Sequence, residues 1–238
     1  VDFGCAAAGD EFQTYLIHAD GAFSYDGDTD MPQCYCGYGL PSILGNESFA
    51  YADDISGHVA APIGFRRKSS GALELMQFSE KDPMLGGNLN YYSVEGPDAS
   101  PTGNYVVLQL YPDGGNPPQL ASYTVDSEGN ISTTNTSSSM PTSALVDPYT
   151  TFSPSGNLFV AYENGIEIYK FNGAAPLTLW QTLLIGHGIG QVAFDRSNHL
   201  YAVTGDNKLY VFTVTSTSIT ETSSINIGFP FKMVVVSE

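Results

Sequence analysis

Three aspartates at alternate positions, Asp26, Asp28 and Asp30, lie in the stretch SYDGDTDMPQCYCGYG. Carboxylate oxygens are the ligands that Ca²⁺ prefers, and a loop with this spacing could supply three of them. The stretch differs from a calcium loop at two positions, because Met31 replaces the glycine and Gly37 replaces the bidentate glutamate. Two hypotheses therefore stay open: a Ca²⁺ site formed by the three aspartates, and a solvated acidic turn.

The same stretch contains two of the three cysteines, Cys34 and Cys36, and the third is Cys5. The two cysteines of the Cys-x-Cys pair are too close in sequence to bridge each other comfortably. The further Cys or His ligands of a zinc site are also missing. We therefore expect a disulfide between Cys5 and one cysteine of the pair, with Cys34 as the predicted partner, and such a bridge would fix the N-terminal segment.

His187 is the histidine whose setting best suits catalysis. It lies in the glycine-flanked stretch IGHGIG, where the backbone can approach a ligand closely. A histidine base needs a carboxylate or substrate nearby, and Asp53, Asp54 and Asp147 are the candidates. Together they would activate water, directly or through a metal ion. The alternative is that His187 is an ordinary polar loop residue, since the chain contains no G-x-S-x-G, H-E-x-x-H or phosphate-loop motif.

The charge balance excludes two classes of partner. Eight Lys and Arg stand against 25 Asp and Glu, which gives a formal net charge of -17. Such a chain repels nucleic-acid backbones and anionic membrane surfaces, and no apolar run is long enough to span a bilayer. Ser, Thr, Asn and Gly supply most of the polar groups, and this composition predicts a secreted or periplasmic protein.

A repeated pattern indicates which elements position these residues. The stretch Phe152 to Trp180 is echoed by Phe194 to Thr222, and Leu158 falls on Leu200. Each copy has alternating hydrophobic strands separated by Gly, Ser, Asn and Asp turns, which is typical of β-structure. Units of four strands that repeat every 40 to 50 residues or so are typical of propeller blades. The sequence therefore predicts an all-β fold, a β-propeller; the four copies span residues 45–76, 100–133, 152–180 and 194–222.

We predict one domain over residues 1–238, which begins and stops in the middle of a blade. The predicted units are a partial blade at 1–30, four blades at about 31–80, 81–140, 141–184 and 185–224, and a closing strand at 229–238. Four complete blades are few for a closed ring. We therefore expect missing blades rather than a composite fifth blade.

In propellers, the connections between blades and the loops between strands 2 and 3 lie on one face, around the mouth of the channel. This placement predicts that Ser24 to Gly39 is a connector at an acidic channel mouth. The other polar groups expected there are Asp10, Glu11, Asp53, Asp54, Glu95, Asp98, Asp147 and His187.

Several stretches resemble a known family, among them LASYTVDSEGNISTT, SPSGNLFVAY and NHLYAVTGDNKLYVFTVTSTSI. They look like the C-terminal blades of bacterial secreted lactonase-like propellers, relatives of the seven-bladed 6-phosphogluconolactonase type. The resemblance covers most of the chain from Phe12 onward. It implies a seven-bladed ring and a sugar-lactone hydrolase activity. Its motifs are structural, so it assigns no catalytic residue.

Two functions are consistent with these observations. The first is a secreted binding or structural module in an extracellular assembly, with a protein partner or a second copy supplying the missing blades. The alternative is a hydrolase that acts on a sugar lactone at the acidic mouth, with a carbohydrate or another small molecule as ligand. The missing catalytic motif favours the first, and the fold alone does not decide between them.

Overall fold

The computed structural model describes residues 11–30, 41–53, 62–77, 92–102, 104–112, 117–228 and 233–235. Every helix or strand element in these ranges is a β-strand. Consequently, no helix in the described part of the chain is long and apolar enough to cross a membrane. The all-β prediction is therefore confirmed.

The strands form one antiparallel hairpin and four antiparallel sheets of four strands each. The hairpin consists of β1 (Glu11–Ile17) and β2 (Phe23–Asp30). The first sheet contains β3 (Ser42–Ile43), β4 (Phe49–Asp53), β5 (Pro62–Arg67) and β6 (Leu73–Gln77). The second contains β7 (Tyr92–Ala99), β8 (Tyr105–Pro112), β9 (Gln119–Val125) and β10 (Ile131–Ser132).

The third sheet contains β11 (Tyr149–Phe152), β12 (Leu158–Tyr162), β13 (Ile166–Asn172) and β14 (Ala175–Leu183). The fourth contains β15 (Ile189–Phe194), β16 (His199–Thr204), β17 (Lys208–Val214) and β18 (Ile219–Asn226). In all four sheets, each strand pairs with the strand next to it in the chain. This up-and-down order is that of a propeller-like fold.

The repeated turns have the local chemistry that the sequence predicts. In the third sheet, Gly156 closes the turn between β11 and β12, and its N–H donates to the Ser153 carbonyl at 2.8 Å. Its φ of 69° lies in the left-handed region, which glycine adopts without strain. In the aligned turn of the fourth sheet, Asn198 has a φ of 62°. Asparagine is among the few other residues that tolerate this conformation.

Neighbouring sheets pack face to face through apolar side chains. Tyr51 of the first sheet packs with Leu108 and Tyr123 of the second, and all three are buried. Its hydroxyl donates to the Gly129 carbonyl in the second sheet at 2.7 Å. Burial, followed by the charge of Asp126, raises the pKa of Tyr51. Two further clusters join the second sheet to the third and the third to the fourth.

Two sequence predictions need correction or fall outside the described residues. The stretch Ser24 to Asp30 belongs to strand β2 and is not a connector between blades, because it pairs with β1. The cysteines Cys5, Cys34 and Cys36 lie outside the described residues. Of the predicted closing strand, only residues 233–235 are described. The side-chain amide of Gln191 on β15 exchanges two hydrogen bonds with the backbone of Met233 there, at 2.6 and 2.8 Å.

Candidate functional site

A group of polar side chains joins the inner strands of the second and third sheets. We call it the Asp98 cluster, and it consists of Asp98 on β7, Gln109 and Tyr111 on β8, and Thr150 on β11. Strands β7 and β11 are the first strands of their sheets, and they contact each other. The first strands line the central channel in propeller folds.

Three hydrogen bonds run through the cluster in one direction, toward Asp98. The Tyr111 hydroxyl donates to Gln109 Oε1 at 3.2 Å, and Gln109 Nε2 donates to Thr150 Oγ1 at 3.4 Å. The Thr150 hydroxyl in turn donates to Asp98 Oδ2. This direction is chemically consistent, since a carboxylate only accepts hydrogen bonds and a threonine hydroxyl both accepts and donates. The cluster therefore holds the Asp98 carboxyl in a fixed orientation.

Burial shifts the acidity of Asp98. Its side chain is half-buried, and the loss of solvation raises the pKa of its carboxyl above the usual 3.8. The hydrogen bond from Thr150 opposes this shift but does not cancel it. A carboxyl group with a raised pKa is a stronger base when ionised, and such groups are common at catalytic sites. The Asp98 carboxylate is thus a stronger base than an ordinary aspartate.

Two tyrosines extend the cluster toward the fourth sheet. The rings of Tyr149 on β11 and Tyr162 on β12 lie 5.8 Å apart. Burial raises the pKa of Tyr162, a backbone hydrogen bond from Val192 lowers it, and the charges of Tyr149 and Asp98 raise it further. Val192 belongs to β15, so polar groups from three consecutive sheets approach one another along their inner strands.

A buried carboxylate holds the connector that leads into β11. Glu167 on β13 accepts hydrogen bonds from the Ser143 hydroxyl at 2.6 Å, the Ala144 N–H at 2.9 Å and the Tyr169 hydroxyl at 2.6 Å. Burial and then the bond to Glu167 raise the pKa of Tyr169. Glu167 thus fixes the first part of the connector that leads into β11.

The structure places His187 beside different partners from those predicted. His187 is half-buried in the connector before β15, and its ring meets the Tyr210 ring edge-on at 6.3 Å. The hydrogen bond from the Thr204 hydroxyl lowers the pKa of nearby Asp206, and smaller electrostatic contributions from Lys208 and then His187 act in the same direction. In the described part of the chain, no hydrogen bond or ion pair joins His187 to Asp147.

Of the predicted carboxylates, only Asp147 has a described side chain. Asp147 is exposed in the connector before β11, and Asp53 is the last residue of β4, with its side chain outside the described residues. Asp54 lies outside them as well. The catalytic set predicted from the sequence, His187 with Asp53, Asp54 and Asp147, therefore remains a prediction.

The three aspartates of the predicted calcium site lie on β2. Asp26 is the extra residue of a β-bulge, because Tyr25 pairs with Tyr15 and Gly27 pairs with Thr14. Asp26 is half-buried, Asp28 is exposed, and the side chain of Asp30 is not described. Among the side chains that the structure describes, no group of three Asp, Glu, His or Cys is placed to hold a metal ion.

One histidine does pair with a carboxylate, at the opposite end of the fourth sheet. His199 Nδ1 lies 2.7 Å from Asp195 Oδ2, and Asp195 also accepts the N–H groups of Ser197 and His199 at 2.8 Å each. Burial alone would raise the pKa of Asp195, but these hydrogen bonds outweigh it and lower the pKa to about 2. The pair closes the turn between β15 and β16, as expected for a structural histidine.

The sequence contains a signal for the Asp98 cluster that its motifs do not show. Strand β7 carries Gly96 and Pro97 in its interior, and Gly96 has a φ of 84°. The register of β7 against β8 shifts between Glu95 and Asp98. Glycine and proline inside a strand mark a bulge, and bulges often lie beside active sites and redirect a side chain. The order E-G-P-D within a strand pattern would have singled out Asp98.

Known structures share this fold. The chain is similar to a periplasmic gluconolactonase from Pseudomonas aeruginosa, with a TM-score of 0.61 and 15% identity over 94% of this chain and 66% of that one. A protein from Bacteroides fragilis, provisionally assigned as a 6-phosphogluconolactonase, matches with a TM-score of 0.60 and 14% identity over 94% and 67%. A Bacteroides uniformis protein with the same provisional assignment gives 0.56 and 13% over 92% and 66%.

The chain thus spans about two thirds of the length of these structures. At this identity the likeness shows the fold, a propeller-like arrangement, and assigns no activity. No protein-family model matches the chain, and no curated protein sequence matches it.

Proposed function

We propose that the chain is a hydrolase that opens a sugar lactone, with Asp98 as the base that activates water. The observation that carries this proposal is the half-buried Asp98 carboxyl with its raised pKa, oriented by Thr150 on the inner strands. The names of the similar structures, a gluconolactonase and two provisional 6-phosphogluconolactonases, support the reaction class. They favour it over the binding module that the sequence alone favours.

In the proposed reaction, the Asp98 carboxylate takes a proton from a water molecule while the water oxygen attacks the lactone carbonyl. The carboxylic acid formed on Asp98 then returns the proton to the ring oxygen as the carbon–oxygen bond breaks. One lactone and one water give one hydroxy acid. A positioned general base contributes about 10² to 10⁴ in rate.

The proposed substrate carries no phosphate group. The chain has a net charge of -17. None of the ion pairs formed by the described lysines and arginines includes a residue of the Asp98 cluster. A phosphate dianion next to the Asp98 carboxylate would be repelled. We also propose a periplasmic or extracellular location, where unphosphorylated sugar lactones are met. The similarity to a periplasmic gluconolactonase supports this location.

Lactone hydrolysis by matched variants tests this function. Proton release from D-gluconolactone would be followed with a pH indicator, and spontaneous opening of the lactone would be subtracted. We expect Asp98→Asn to lose about 10² to 10⁴ of the catalysed rate. Glu221→Gln is the matched control, because Glu221 is an exposed carboxylate on β18. Equal rates for Asp98→Asn and the wild type would contradict the proposal.

A second proposal concerns a partner at the N-terminal hairpin. The face of β1 and β2 exposes four large apolar side chains, and Ile17 and Phe23 are 72% and 69% exposed. Tyr15 and Tyr25 pair beside them across the two strands, with their rings edge-on at 5.9 Å. A contiguous exposed apolar face is typical of an interaction surface. We propose that the same face of a second copy covers it.

The mass of the particle in solution tests this second proposal. Light scattering behind gel filtration should give more than the 25.4 kDa of one chain, and Phe23→Ser should restore the single-chain mass. Leu179→Ser, at an exposed leucine on β14, is the matched control. A monomer at high protein concentration would contradict the proposal.

A further inference from the structure

A groove of about 500 Å³ lies between the third and fourth sheets. It is lined by the turns that join strands 1 to 2 in both sheets and by the turn that joins β17 to β18. Because strands in each sheet alternate in direction, these turns lie at the end opposite to the connector that carries His187. The groove also contains none of the residues of the Asp98 cluster. It is therefore a separate site.

One positively charged side chain, Lys170, lines this groove. Lys170 on β13 places its ammonium 3.8 Å from the centre of the Trp180 ring, and both side chains line the groove half-buried. The electrons of the indole face attract the ammonium and fix its position. An ammonium group has three donors, and the ring face cannot satisfy them as a carboxylate would.

Lys170 differs from most of the described basic residues because its ammonium group forms no ion pair. Among the described lysines and arginines, four form ion pairs with Asp or Glu, whereas Lys170 and Arg196 form none. None of the residues that line the groove carries a carboxylate, although the chain contains 25 Asp and Glu. A ligand in the groove would thus meet one positive charge and no negative charge from the lining.

The rest of the lining offers groups that suit sugars. The side-chain amides of Asn157 and Asn198 are exposed, and in the described part of the chain neither forms a hydrogen bond to another residue. Ser216 is exposed beside them, and the aromatic rings of Trp180 and Phe194 supply apolar surface. Convergent amides and hydroxyls on an aromatic wall are the usual features of a small-molecule site, and the volume lies in the usual range.

We propose that the groove binds an acidic oligosaccharide. In this inference, the carboxylate of a uronic acid unit meets the Lys170 ammonium, and the sugar hydroxyls bind the amides of Asn157 and Asn198. The apolar faces of the sugar rings pack on the aromatic wall. Carboxylate and ammonium form a charge-assisted hydrogen bond, which is about twice as strong as a neutral one. This site does not depend on the proposed lactone hydrolysis.

Trp180 gives a direct readout, because it is the single tryptophan of the chain and lines the groove. Trigalacturonate would be titrated against the whole chain while the tryptophan fluorescence is recorded. We expect a saturable change, and the fully methyl-esterified trisaccharide should bind about ten- to hundredfold more weakly, since it has the same shape without the charge.

Two lysine variants complete the test. Lys170→Met should lower the affinity for trigalacturonate about ten- to hundredfold and leave the methyl ester unaffected. Lys208→Met is the matched control, because Lys208 also lies over an aromatic ring, Tyr210 at 6.0 Å, but outside the groove.

Three results would each overturn the inference: no saturable signal, equal binding of the ester and the acid, or wild-type affinity in Lys170→Met. Should Lys170→Met fail to fold, the comparison of acid and ester on the wild-type chain decides the matter by itself.

Discussion

The buried carboxylate of Glu167 leads to a stability prediction that can be worked out from its contacts. Its side chain is 4% exposed, and it accepts hydrogen bonds from the hydroxyls of Ser143 and Tyr169 and from the Ala144 N–H. Replacement by alanine removes the acceptor from all three donors. The Ser143 and Tyr169 hydroxyls lie in the interior, away from bulk solvent, whereas Ala144 is exposed.

Each buried donor left without a partner costs about 1–3 kcal/mol. Two such hydroxyls predict a loss of about 4 kcal/mol in the free energy of unfolding for Glu167→Ala. Glu167→Gln keeps one acceptor oxygen and the shape of the side chain, so we expect a smaller loss of about 1–2 kcal/mol. Glu221→Gln, an exposed position on β18, should change the stability by less than about 0.5 kcal/mol.

Urea unfolding followed by tryptophan fluorescence measures these values. Trp180 lies on β14 in the same sheet as Glu167, so its emission reports on the unit that the carboxylate stabilises. A midpoint for Glu167→Ala within error of that for Glu221→Gln would refute this reasoning.

Three further predictions test the packing and the charges. Gly45→Ala should destabilise the chain strongly, because a Cβ there would overlap the Pro101 backbone, whereas Gly228→Ala meets open space; thermal unfolding of both variants checks this difference. The pKa of Asp195 is lowered from 3.8 to about 2, so its ionised form stabilises the fold. The wild type should therefore lose stability relative to Asp195→Asn as the pH falls from about 4 to 2. Equal melting curves for the two proteins across that range would contradict this prediction. The pKa of Asp98 is raised, so its ionised form disfavours folding. At about pH 8, Asp98→Asn should therefore melt at or above the wild-type temperature, and this gain in melting temperature should vanish in acid. A melting temperature below that of the wild type at about pH 8 would contradict this prediction.

Local sequence patterns predicted most of the fold. Alternating apolar residues and the turn at Ser153 to Gly156 recur at aligned positions, and this chemistry acts within a few residues of the chain. The register of β2 was harder to predict. The aspartates of SYDGDTD read as a loop, yet Asp26 occupies a bulge and the flanking residues pair with β1. Bulges accept residues that are otherwise poor strand formers.

The candidate site could not be predicted in the same way. Asp98 and Thr150 are 52 residues apart in sequence, and their contact arises from the packing of two sheets. The basicity of Asp98 comes from that burial and has no counterpart in a local motif. His187 stood out because of its flanking glycines, but the fold brings it to Asp206 and Tyr210. Residue type and spacing therefore indicated which chemistry a side chain could perform, but they did not indicate which residues it contacts in the fold.

The pH dependence of kcat/KM for D-gluconolactone tests the role of Asp98 most directly. The activity of the wild type should fall on the acid side with an apparent pKa above the ordinary aspartate value of about 3.9. Thr150→Val should move that limb to higher pH, because the Thr150 hydroxyl stabilises the ionised carboxyl. An acid limb at or below the ordinary value, or one that Thr150→Val leaves in place, would contradict Asp98 as the base.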